Sequence, residues 1–228
     1  MMEISIEDIE RRADETVNLH HIYAGCISKV GIPTSTRLSI AHDCVLLAME
    51  LQGAIGTLIR FRHHAAAFAL LRPLIETTLR AAWLVYVADY QSIARLLENK
   101  NTKDLDDFAR ALAKKSGHDE LKSIAETILD RRHTYHSFAH CGLEQLARRR
   151  NGFKPNELII GLIISDAFAV ISGEIGHLIH ADNHLRELTV IHAPRLAREN
   201  FLRKGIGEEP PDSWTGALPA PPDWDDPE

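Results

Sequence analysis

Three residues of this chain, Arg72, Glu76 and Arg80, stand four apart inside the apolar segment AAAFALLRPLIETTLRAAWLVYVA. At about 100° per residue that spacing puts them on one stripe of a helix, where the carboxylate reaches both guanidinium groups. Arginine holds phosphate or carboxylate through paired donors, so the row is either an ion-pair ladder that fixes helix register or one wall of a small-anion pocket. Charges set in an apolar surface have to be neutralised. The residues expected to complete such an internal pocket are His140, Asp166, Glu174 and His177.

A second group lies in DRRHTYHSFAHCGLEQLARRR, from Asp130 to Arg150. Arg131 precedes His136 by five positions, and His136, His140 and Glu144 follow one another at four. The Arg-x4-His spacing resembles the motif of helical HEPN ribonucleases. That resemblance implies a small helical bundle that pairs as a homodimer around its cleft and cleaves RNA without metal, as a toxin or defence component. It implies Arg131 as the group that stabilises the scissile phosphate and His136 as the acid or base for attack by the 2′-hydroxyl. The family more often has a small polar residue where this chain has Arg132.

A broader resemblance rests on LLRPLIETTLRAAWL followed by YHSFAHCGLEQLARR. Together these segments resemble a bacterial all-helical domain family of unknown function that spans most of residues 1–200. Arg72, Glu76, Ser137, His140 and Gly142 are the matching positions, and the resemblance implies a fold without a reaction. The alternative to the ribonuclease is therefore a non-catalytic domain that holds a small anion or a partner at the Arg/Glu/His pocket.

Other chemistry finds less support. Glu174 and His177 form one Glu-x-x-His, half of the pattern that a carboxylate-bridged di-iron site needs on two helices. Asp166 and His177, eleven apart, share a helix face and could meet His136 and His140 around a metal, but no metal or cofactor is assigned. Cys26, Cys44 and Cys141 are widely spaced and form neither a disulfide framework nor a zinc knuckle. Ser137 and Cys141 lack an identifiable orienting acid and oxyanion hole, and no Gly-rich phosphate loop is present.

The elements that must position these residues are helical throughout. Apolar spacing and caps predict helices from Ser5 to about Lys29, from Thr34 or Ser35 to about Phe61, and from about His64 to Ala88 with Pro73 as a kink. Further helices are predicted over about 89–99, 102–115, 118–139, 143–150, 154–180 and 183–204. The expectation is one all-α, up-and-down bundle over 1–204, followed by an acidic Pro-rich tail over 205–228 that is disordered or loosely docked.

The formal charge of −6 is concentrated in that tail, which has seven carboxylates and no Lys or Arg, so the bundle is close to neutral. Nucleic-acid binding can then rest only on local basic clusters, Arg131-Arg132 and Arg148-Arg149-Arg150. The longest apolar stretch, Leu158 to Ile171, is broken by Asp166 and falls short of a bilayer span. A cytoplasmic protein without a membrane segment is expected, with RNA or a small anion as its partner.

Overall fold

The computed structural model describes residues 4–98, 103–139, 143–203, 218 and 220–222, and among these every regular element is a helix, so the all-α expectation holds. Helix α1 (Ile6–Ile27) begins with a reciprocal cap. The Ser5 hydroxyl accepts from Asp8 N at 3.1 Å, and the Asp8 carboxylate accepts from Ser5 N at 3.1 Å. Helix α2 (Thr36–Arg60) follows a short loop, and α3 (His64–Tyr86) runs unbroken through Pro73.

Helix α4 (Tyr90–Leu97) is capped by Asp89, as the sequence predicts. Helix α5 (Leu105–Lys115) starts later than expected because Asp104 and Asp107 cap it reciprocally; the expected cap, Thr102, lies outside the described residues. Helices α6 (Asp119–Ala139), α7 (Leu143–Asn151), α8 (Pro155–His180) and α9 (Asn183–Arg203) complete the order.

Helices α1, α2, α3 and α8 form the central bundle, α5 and α6 lie along the far side of α3, and α9 covers α8 and α1. The sequence of α8, apolar on nearly all sides, fits a helix enclosed by α1, α2, α3 and α9. By length and hydropathy both α2 and α8 could cross a membrane, but 83% of the most apolar α8 window and 50% of that in α2 is buried against other helices.

Close approach of α1 to α8 depends on Gly173. A β-carbon there would lie 2.1 Å from Cε1 of the fully buried Tyr23, so only glycine lets this ring lie on the α8 backbone. From the tail, the N–H of buried Leu218 donates to Glu174 Oε1 at 3.2 Å, which docks that residue against α8.

Candidate functional site

The Arg72, Glu76 and Arg80 row is on α3 as expected, but it is not sealed inside. Glu76 accepts from Arg80 Nη2 at 3.0 Å with the two side chains 24% and 33% exposed, and the Arg80 guanidinium lies 5.2 Å from the centroid of the Phe108 ring on α5. Arg72 is half-buried and also engaged. The row therefore flanks α3 on its α5 side, where solvent screens the pair.

The α8 residues expected to face this row turn elsewhere. Helix α3 meets α8 through Thr78 and Ser172, whose hydroxyls are 2.9 Å apart, and through Phe68 against Gly161. Positions 166 and 174 are rotated by well over 90° from 172 around the axis at about 100° per residue, and so point to other neighbours. Asp166 accepts from Arg12 Nη1 at 2.7 Å and Thr16 Oγ1 at 3.2 Å on α1, and from Gln52 Nε2 at 2.8 Å on α2. Burial pushes the Asp166 carboxyl above the usual carboxylate range, against the guanidinium and hydrogen bonds that oppose it.

Glu174 binds Leu218 N, and burial raises its carboxyl while His177 and that N–H lower it. His177 donates from Nδ1 to the Asp182 carbonyl at 2.9 Å. The expected internal pocket is thus divided among separate groups; His140 lies outside the described residues. No cluster of three or more His, Cys, Asp or Glu able to hold a metal ion occurs among the described residues.

Arg131 and His136 are also separated. Five positions on a helix rotate a side chain by about 140°. Arg131 is exposed and lines a groove between α3, α6 and α8, whereas His136 Nε2 lies 3.8 Å from Asp106 Oδ1 on α5. Arg132, not Arg131, shares that carboxylate, with Nε 3.6 Å from Asp106 Oδ2, and Arg110 joins at 3.2 Å. Sequence spacing missed this group because Asp106 comes from another helix.

A cluster of basic and imidazole side chains lies where α2 turns into α3. His63 N donates to Leu58 O at 2.7 Å and Arg62 N to Ile59 O at 3.0 Å, the paired bonds of a Schellman helix end. Its left-handed position normally takes glycine, yet here it is Arg62, with φ 61°. Arg62, His63, His64 and Arg148 line a cavity of about 440 Å³ at the first turn of α3, with Ala65, Ala66, Gly152 and Phe153. Among the described residues no carboxylate lines it, and the positive end of the α3 dipole adds to its field.

Arg62 reaches Glu10 at 3.3 Å and Arg148 reaches Glu157 at 2.7 Å. Burial, then Arg62 and His63, depress the pKa of His64, which favours a neutral imidazole. The sequence showed one side of this pocket, the Arg148-Arg149-Arg150 cluster, but not that the fold brings Arg148 to the start of α3.

Comparison with known proteins adds one finding. The model of a family described only as of unknown function matches residues 45–195, which include both the α3 row and the α6 histidines. No curated protein and no solved structure matches the chain.

Proposed function

We propose that this chain, which belongs to the family of unknown function DUF6988, is a non-catalytic binding domain for a phosphate-bearing anion, held in the basic pocket between α2 and α3. The observation that carries the reading is Arg62. A non-glycine residue in the left-handed region is strained by about 1 kcal/mol or more. Glycine is the usual residue at such a helix end; here Arg62 instead helps to line a cavity together with His63, His64 and Arg148. Phosphate is the matching ligand, because its oxygens accept from guanidinium, imidazole and a helix start together.

Arg62→Gly tests this directly. Removal of one charged hydrogen bond weakens phosphate binding by about tenfold, while loss of the strain leaves the melting temperature unchanged or higher. Calorimetric titration with phosphate, beside thermal unfolding, reads both. Unchanged affinity in the variant rejects the pocket.

A second reading, RNA cleavage by a HEPN-like homodimer, is favoured by the surface group of Asp106, Arg132 and His136. An imidazole near a carboxylate and a guanidinium offers the groups that general acid-base attack on a phosphodiester uses. In this reading Arg132 takes the part first assigned to Arg131. RNA left intact by the purified protein without metal would dispose of it.

A further inference from the structure

A second cavity adjoins the basic pocket, and the two share Arg148. It is a groove of about 210 Å³ between α3, α6 and α8, walled by Phe68, Leu71, Phe138, Ile160 and Ile164. Gly161 keeps it open, since a β-carbon there would stand 3.0 Å from Phe68 Cζ. The ring of Phe153, which lines the basic pocket, has its centroid 4.8 Å from that of Phe68 and 6.4 Å from that of Phe138. His64 meets the same Phe153 ring edge-on at 5.8 Å. Phe153 therefore packs between His64 at the basic pocket and Phe68 and Phe138 at the apolar groove.

Charge is distributed to match. The groove floor is apolar, and its charged residues are Arg131, Arg148 and Glu157. Glu157 is paired with Arg148, whereas exposed Arg131 forms no ion pair among the described residues. An occupant confined to the groove would be apolar, and one that also reaches Arg148 would end in an anion. A free anion leaves the groove empty, and a neutral apolar molecule leaves the basic pocket empty.

We infer that the ligand is a phosphate monoester that carries a flat aromatic ring system, with the phosphate among Arg62, His63, His64 and Arg148 and the ring against Phe68, Phe138 and Ile164. The inference rests on the phosphate pocket proposed above and adds the organic part of the ligand. Stacking of a ring on such walls contributes on the order of 1–3 kcal/mol, and the phosphate contacts supply orientation.

The experiment titrates the full chain calorimetrically with inorganic phosphate, 1-naphthyl phosphate, 1-naphthol and adenosine monophosphate. The expected result is that 1-naphthyl phosphate binds about tenfold or more tightly than phosphate, with adenosine monophosphate sharing the gain. Ile164→Trp, which fills the groove, removes the gain and leaves the affinity for inorganic phosphate within about twofold, which also shows that the variant is folded. Equal affinities for phosphate and its naphthyl ester overturn the inference while the pocket stands. Naphthol bound as tightly as the ester also overturns it, as does a gain that survives Ile164→Trp. If inorganic phosphate and both esters all fail to bind, the pocket itself is rejected and the inference with it.

Discussion

The Arg12 guanidinium and the Asp166 carboxylate meet at 2.7 Å with both side chains only 4% exposed, and with Thr16 and Gln52 they join α1, α2 and α8 inside the bundle. Breaking one side of such a pair strands a buried charge, so Arg12→Met or Asp166→Leu alone should lose about 3–5 kcal/mol. The double variant removes both charges and should recover most of that loss. Chemical denaturation of the three variants checks it. A double variant as unstable as the sum of the singles would mean that the pair contributes no mutual stabilisation.

Gly173→Ala should be among the most damaging single-methyl changes in the protein. The new β-carbon would fall far inside van der Waals contact with Tyr23 Cε1, and Tyr23 is fully buried, so the ring can yield only by separating α1 from α8. Overpacking of this kind costs about 1–3 kcal/mol or more. Gly25, whose added β-carbon meets nothing within 4 Å, is the control, and Gly25→Ala should be neutral or mildly stabilising. Similar melting temperatures for the two variants would refute the close packing.

The contrast between helices and site shows what the sequence carries. Helix starts were legible because their signals are local: Ser5 with Asp8, Asp89 before Ser92, and Pro155 after Lys154 each act within one turn. Asp166, Glu174 and His177 were legible as polar residues in an apolar helix, but their partners Arg12, Gln52 and Leu218 are remote in sequence. The direction in which each residue faces depends on which helices surround α8, and periodicity alone does not set that. Arg131 and His136 failed to meet for a local reason, the rotation over five residues, which spacing did contain.

Stability should fall as the solution is acidified below neutrality. His180 Nε2 and His42 Nδ1 share a 2.9 Å hydrogen bond, and burial and then His42 depress the pKa of His180, against the opposing charge of Asp182. The unfolded imidazole takes its proton near pH 6.5 while the folded one resists, so stability is complete above about 6.5 and is lost below it. His64 and His192, also depressed, act in the same direction. Asp166 and Glu174, both raised, act oppositely, because their folded forms gain relative stability as pH falls through their own range. His180→Gln isolates the histidine contribution. Its melting temperature should change less than the parent's between pH 7.5 and 5, and parallel curves would exclude the pair as a source of the dependence.

Removal of the tail after Lys204 should expose a defect at Glu174. The carboxylate is 1% exposed, and Leu218 N is the hydrogen-bond donor at its Oε1. Without that donor the buried acid loses a charged hydrogen bond, about 1.5–3 kcal/mol, and its pKa, already raised by burial, rises further. A raised acid is more easily tolerated when protonated, so the truncated protein should lose stability as pH rises through that pKa, more steeply than the full chain. Glu174→Gln in the truncated chain removes the charge and should flatten the difference. Identical pH profiles for full and truncated chains would show that residue 218 does not compensate Glu174.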